Sequence, residues 1–268
     1  MWTNVAPMSA ILVPYHLEEY LPDLDVPVRT AVTVRAVAAG GDQWARLGGL
    51  YRRVAAAVRD EVGAGGAALV VSGDCMTALG TVAGLQRAGL DPAIVWFDAH
   101  GDLQTPETST SGYVGGMPLR ILVGHRPELI AERLGLAAVA PDRVTLVGAR
   151  DLDPPEVAYL AGSAIRSLPV GAVTAESLPD GPLYLHVDLD VIDPAGLPGL
   201  RFPASGGPDA AATTTALRRV LDTGRVAAVG LACTWRPGQH AADRLRPHLE
   251  PLLARLRPAS GHGPAHQR

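Results

Sequence analysis

No lysine occurs in the 268 residues: all 23 Lys/Arg positions are arginine. That excludes a Schiff-base lysine and a phosphate loop built on lysine, since both chemistries need an ammonium group. Cysteine is nearly as scarce, with Cys75 and Cys233 alone. Two thiols are too few for a secreted disulfide framework, and in a cytosol they stay reduced. The net charge is −4 and no run of arginines makes a local basic field, so no nucleic-acid partner is expected. No stretch approaches the ~20 apolar residues of a membrane span. The opening MWTNVAPMSAILVPYHLEEY has neither a basic leader nor an apolar core of signal length. The expectation is a soluble cytoplasmic protein with no membrane partner.

What is present is alternation. The apolar runs AILVP (10–14), AALVVS (67–72), AIVWF (93–97), RVTLVG (143–148), LYLHV (183–187) and RVAAVGLA (225–232) are separated by amphipathic stretches. Two of these, WARLGGLYRRVAAAVRDEV (44–62) and DAAATTTALRRVLD (209–222), carry helical spacing. Continuous apolar runs suit strands buried on both faces, so the pattern predicts an α/β fold with a mostly parallel sheet between helical layers. Ligands in such folds bind beyond the carboxyl ends of the strands. No repeat or long linker interrupts the pattern, which predicts one domain over residues 1–256. The Pro/Gly-rich RPASGHGPAHQR (257–268) is expected to be frayed, with His262 and His266 solvated.

Two strand ends concentrate acid. After AIVWF come Asp98, His100 and Asp102 in DAHGD, and after LYLHV come Asp188 and Asp190, with Asp193-Pro194 closing the segment. If the chain stays extended past residue 97, Asp98 and His100 share a side, and Asp102 joins them if the chain then turns inward. Four converging carboxylates repel one another unless cations sit among them. A pair of divalent metal ions resolves this, and the oxygen-rich set with one imidazole favours Mn²⁺ over Zn²⁺. Metal-bound water with a lowered pKa then supplies a hydroxide for hydrolysis.

Either acidic motif taken alone also fits a solvated loop. His186 lies inside an apolar run on the side of Tyr184 and Asp188, which suits a satisfied core histidine as well as a functional one. His125 reads as structural, at the start of a helix-like segment. Cys233 reads as a small buried filler.

The segment DAHGDLQTPETSTSGYVGGMP, preceded by GDC and followed by ARDLDPPE and HVDLDVIDP, resembles the arginase and agmatinase (ureohydrolase) family. The motif-bearing match runs over residues 70–207. The resemblance implies a three-layer α/β/α sandwich and two Mn²⁺ ions that drive hydrolysis of a guanidino group. By that resemblance Asp98 and Asp188 bridge the ions, His100 and Asp190 hold one, Asp102 the other, and Cys75 stands where the family has a histidine ligand. Asp98, Asp188 and His100 thereby carry catalysis. Gln104 and Ser111 fall where arginases bind the substrate carboxylate, and Asp153 where they bind the α-amino group. The implied partner is a small guanidino amino acid, and the oligomeric state stays open.

Three departures bear on the substrate. Gly115 stands at the family's proton-shuttling histidine, with Tyr113 for its Asn. LACTWRP offers Cys233 near the family's guanidinium-facing glutamate, and LRF (200–202) replaces a T-G-T stretch. A site short of a carboxylate binds a full guanidinium poorly. N-hydroxylation makes a guanidine less basic, so the exchanges resemble family members that hydrolyse Nω-hydroxy-L-arginine to hydroxyurea and L-ornithine. Two other readings stand beside this one: a ureohydrolase of arginine or another guanidino acid, and a metal-free family member used for binding.

Overall fold

Every apolar run named above becomes a strand in the computed structural model, which describes residues 10–37, 40–254 and 256. The strands are β1 (Ala10–Val13), β2 (Tyr15–His16), β3 (Glu19–Tyr20), β4 (Thr30–Thr33), β5 (Ala68–Ser72), β6 (Ala93–Phe97), β7 (Val144–Val147), β8 (Arg166–Leu168), β9 (Leu183–Asp188) and β10 (Val226–Ala232). The helices are α1 (Gln43–Gly63), α2 (Ala78–Arg87), α3 (Pro118–Leu122), α4 (Ala131–Leu134), α5 (Pro154–Ala161), α6 (Ala210–Leu221) and α7 (Ala241–Leu253). The segment 257–268, with His262 and His266, lies outside the described residues.

An eight-stranded sheet runs in the order β4-β1-β5-β10-β9-β6-β7-β8, and every neighbouring pair is parallel. β2 and β3 form a separate antiparallel hairpin. β5, β6, β9 and β10 are buried at every residue, as strands covered on both faces must be. One apolar layer gathers Leu47, Tyr51 and Val54 of α1 with Leu79 and Val82 of α2. The opposite layer gathers Leu217 and Val220 of α6 with Leu245 and Leu249 of α7. The arrangement is the expected α/β/α sandwich.

The short strands β4 and β8 carry no apolar run, and β4 is exposed throughout. They are edges, where short polar strands blunt unwanted pairing, so hydrophobic patterning does not mark them. Helix starts follow their caps: Asp42 accepts from Ala45 N at 2.8 Å before α1, and Asp209 accepts from Ala212 N at 2.7 Å before α6.

Chain order places the site. β5 and β6 are consecutive among the sheet's strands in sequence but lie apart in it, with β10 and β9 between them. Their carboxyl ends form the crevice in which an open parallel sheet binds ligands. α2 leads away from the end of β5 through a 3₁₀ turn, Cys75–Thr77, and packs closely on α1. Glycine makes that closeness possible: a Cβ on Gly84 would lie 2.6 Å from Val58 Cβ, and one on Gly80 2.7 Å from Tyr51 O.

Candidate metal centre

Each expected ligand sits at or just past a strand end. Cys75 opens the turn after β5, and Asp74 caps that turn by accepting from Thr77 N at 3.1 Å. Asp98 follows β6, and Asp188 ends β9. The chain after Asp98 is not extended. Asp98 Oδ1 accepts from His100 N at 2.7 Å, and Asp188 Oδ1 accepts from Asp190 N at 2.8 Å. Both motifs are therefore turns closed by their first aspartate, and a D-x-H or D-x-D spacing serves this geometry directly. Asp102 then takes a left-handed backbone, φ 53°, which aspartate tolerates better than most residues. That kink brings it inward.

The side chains converge. Cys75 Sγ lies 2.9 Å from Asp188 Oδ2 and 3.9 Å from Asp98 Oδ2. His100 Nδ1 lies 3.3 Å from Asp98 Oδ1 and 3.2 Å from Asp190 Oδ2. Donors hold the carboxylates from behind: Trp96 Nε1 to Asp98 Oδ2 at 3.1 Å, and the Thr234 hydroxyl to Asp188 Oδ1 at 2.6 Å. Arg150 gives its guanidinium to the carbonyls of Gly148, Asp190, Val191, Ala204 and Ser205, pinning the Asp190 turn to the loop after it. Asp193 fastens the same loop by accepting from Ala195, Gly206 and Gly207 N.

So much acid at such depth needs positive charge. Burial first, and then the neighbouring carboxylates, push Asp102 and Asp188 well above the carboxylate range. Asp190 rises to about 6, through burial and then Asp98. Burial opposes charge on His100, yet its hydrogen bonds to Asp190 and Asp98 outweigh that and raise it to about 12. Burial likewise works upward on Asp98, but His100 holds it below the ordinary range. The Cys75 thiol is driven up by burial and by Asp188. Protons here stand in for cations.

The donor set fits metal. Two clusters sharing Asp98 bring ligand atoms within 4.8 Å of one another: Cys75 with Asp98 and His186, and Asp98 with His100 and Asp190. Asp102 Oδ2 is buried with no hydrogen-bond partner among the described residues, as a reserved ligand atom would be. Carboxylates with one imidazole suit Mn²⁺, and the thiol is the softer exception.

A cavity of about 230 Å³ opens over these residues, and Gln104, Ser111 and Asp153 all line it. Gln104 Nε2 donates to Asp153 Oδ2 at 2.6 Å, while Ser111 is exposed at the rim and accepts from Tyr113 N at 3.2 Å. Asp153 also begins α5 in a capping box with Glu156. Tyr113 and Phe202, at two of the departures, line the same cavity, as do Glu156 and Thr234, to which the sequence alone assigns no role. Glu156 is buried beneath the 101–104 turn, where it accepts from Leu103 N at 2.9 Å.

The departures resolve physically. Cys233 does not line the cavity; it packs with Leu231 and Trp235 in the opposite apolar layer. The residue that faces the site is Thr234. Alternation past β10 gives it the other face from Cys233, the one signal that could have identified it. Gly115 leaves room for Tyr113, whose ring would lie 2.2 Å from any Cβ on that glycine. The Tyr113 hydroxyl meets His16 Nε2 at 3.0 Å, and His16 Nδ1 meets Gly73 O at 2.8 Å. Phe202 of LRF stacks against His16 and tilts toward Tyr113, giving the cavity an aromatic wall. His125 lies outside a helix, 3.3 Å from Glu107 Oε2 and away from the cavity.

Comparison with known proteins agrees with the geometry. Residues 8–234 match the Arginase family model. The arginase of Bacillus subtilis (strain 168) is 35% identical over 170 residues, 58% of this chain and 57% of that protein. The arginase of Neurospora crassa is 30% identical over 236 residues, 80% of this chain and 63% of that one. The matched stretches thus span less than two thirds of these relatives' length. Among solved structures, arginase from Bacillus caldovelox superposes with a TM-score of 0.77 at 24% identity, covering 93% of this chain and 97% of that chain. The proclavaminate amidino hydrolase from Streptomyces clavuligerus superposes with a TM-score of 0.65 at 19% identity, covering 95% and 94%. These two are likenesses of fold. The family match over most of the chain carries the conclusion that this protein belongs to the arginase family.

Proposed function

We propose that this chain is a two-manganese amidinohydrolase of Nω-hydroxy-L-arginine, releasing hydroxyurea and L-ornithine as D-cycloserine biosynthesis requires. One observation carries the reading: past the end of β10 the cavity presents the neutral hydroxyl of Thr234, already given to Asp188. At that position a guanidinium cation meets a hydroxyl and not a carboxylate, since the cavity's carboxylates outside the ligand set, Asp74, Asp151, Asp153 and Glu156, come from other segments, and an incompletely paired buried charge is costly. An N-hydroxyguanidine is less basic and can present a neutral group to the site.

Cys75, Asp98, Asp102 and Asp188 would hold one ion, and Asp98, His100, Asp188 and Asp190 the other. When bound, the ions supply an activated water and neutralise the acidic cluster. Thr234 and Trp96 fix the orientation of Asp188 and Asp98, as hydrogen bonds to ligating carboxylates do. Asp153 takes the α-amino group by a charge-assisted hydrogen bond, with Gln104 and Ser111 beside the α-carboxylate. Tyr113 and Phe202 cover the guanidino end and limit water. Water adds across the guanidino carbon, the bond from that carbon to the ornithine δ-nitrogen breaks, and the departing nitrogen takes a proton.

A second reading, hydrolysis of arginine itself, is favoured by relatives named arginase at 30–35% identity. A metal-free binding role would leave the buried carboxylates balanced only by protons and His100, and no observation here favours it. Product analysis decides. Mn²⁺-loaded protein given hydroxyarginine, arginine and agmatine in parallel should turn over hydroxyarginine best and form hydroxyurea. Urea from arginine at an equal or higher kcat/KM would overturn the assignment.

A further inference from the structure

His186 is not the satisfied core histidine its apolar run suggests. The ring is buried, and among the described residues its Nε2 has no hydrogen-bond partner. The ring borders the metal centre: one of its nitrogens, Cys75 Sγ and an Asp98 carboxylate oxygen all lie within 4.8 Å of one another.

The position is built by three strands in register. Trp96, His186 and Gly230 stand side by side on β6, β9 and β10. The Trp96 indole stacks on the imidazole with centroids 3.7 Å apart and planes 21° apart, so the ring cannot swing away. On the other side, Tyr184 Oη meets His186 Nδ1 at 3.0 Å. Gly230 admits that hydroxyl, since a Cβ there would lie 2.3 Å from it.

The tautomer is assigned from what the ring faces. The Tyr184–His186 hydrogen bond can run in either direction, and a thiolate at Cys75 calls for a donor opposite it. With the tyrosine proton on Nδ1, the neutral imidazole accepts there and donates at Nε2. Of the two acceptors in reach, Asp98 is already served, by Trp96 Nε1 at Oδ2 and by His100 N at Oδ1. Cys75 has no donor. Its present contact is its own S–H to Asp188, and that proton leaves when sulfur becomes a ligand.

We propose that His186 is the positioning residue of the Cys75 ligand: Nε2–H, fixed by Tyr184, donates a hydrogen bond to the Cys75 thiolate and holds that sulfur on the metal. The proposal rests on Cys75 being a ligand. Partners of this kind orient the first ligands, and their loss weakens metal binding by roughly 10- to 100-fold.

Cobalt(II)-substituted protein tests it, because a thiolate ligand gives a near-ultraviolet sulfur-to-cobalt charge-transfer band whose energy depends on hydrogen bonding to sulfur. The wild type should show the band and Cys75→Ser should lack it. In His186→Leu the band should move to longer wavelength, since the sulfur lone pair is no longer stabilised, and Mn²⁺ should bind about 10- to 100-fold more weakly at one of its two sites. His186→Gln, which keeps an N–H donor, should move the band less. Tyr184→Phe, which frees the tautomer, should move it in the same direction as leucine does. Should His186→Leu fail to fold, the Gln and Tyr184→Phe proteins carry the comparison. A band at the wild-type wavelength in Tyr184→Phe and in folded His186→Leu overturns the proposal. A change in the visible cobalt bands with the charge-transfer band fixed also overturns it, by making His186 a ligand. A wild type without the band removes Cys75 as a ligand and this proposal with it, while hydroxyurea production would still support the function.

Discussion

Tyr113 fills the space that any side chain on Gly115 would need: a Cβ on the glycine would lie 2.2 Å from Tyr113 Cζ. The two positions are therefore coupled, and the glycine is a consequence of the tyrosine.

Gly115→His should destabilise the protein by about 1 to 3 kcal/mol through overpacking. Tyr113→Asn added to it should recover most of that loss, although the hydrogen bond to His16 goes as well. Denaturant melts of the single and double variants measure the coupling. Additive losses would show that the ring moves aside freely.

Asp188 touches both halves of the cluster, so Asp188→Ala should abolish turnover and lower bound manganese from two ions per chain toward none. Thr234→Val should keep the fold and weaken metal binding by roughly 10-fold or more, since only the orienting donor is lost. Metal content after desalting reads both. Full loading of the Asp188→Ala protein would remove Asp188 from the ligand set.

Asp153 both caps α5 and faces the cavity, and the two roles separate by substitution. Asparagine also caps helices well, so Asp153→Asn should melt close to the wild type. It loses the charge, and kcat/KM should fall roughly 10- to 100-fold, the equivalent of about 1.5 to 3 kcal/mol. Wild-type kinetics in Asp153→Asn would place the substrate amine elsewhere.

Metal affinity should rise with pH. Asp190 is raised to about 6, His100 to about 12, and Asp102, Asp188 and Cys75 are raised as well. A raised group keeps its proton to higher pH, and a ligand must lose that proton to bind metal, so each one opposes binding at low pH. Apparent Mn²⁺ affinity should therefore climb by at least about 10-fold from pH 5.5 to pH 8, with protons released on loading. Calorimetry in buffers of different ionisation enthalpy counts them. A flat profile would mean that the carboxylates are already ionised without metal.

The central strands were legible because burial on both faces leaves a continuous apolar signature, as in AIVWF and LYLHV. The acidic cluster was legible because its residues follow those runs directly. Edges were not: Thr30–Thr33 and Arg166–Leu168 pair at the sheet margin without an apolar pattern. The inward swing of Asp102 depends on one left-handed residue, which spacing does not reveal. Thr234 was hidden beside Cys233 because reading which neighbour faces the site needs the strand's phase. The unpaired nitrogen of His186 depends on Trp96 and Gly230 across the sheet, contacts between residues far apart in sequence.

The insertion of β9 and β10 between β5 and β6 also orders events during synthesis. Cys75, Asp98, His100 and Asp102 leave the ribosome first, yet the strands that carry them do not pair with each other. They wait for the segment from Leu183 to Ala232 to thread the middle of the sheet and deliver Asp188 and Asp190. Such long-range parallel pairing is slow and leaves apolar edges exposed meanwhile. A chain truncated before residue 183 therefore retains part of the proposed ligand set but neither of the central strands that join its two halves, so high-affinity metal capture by that set would mark completion of the fold.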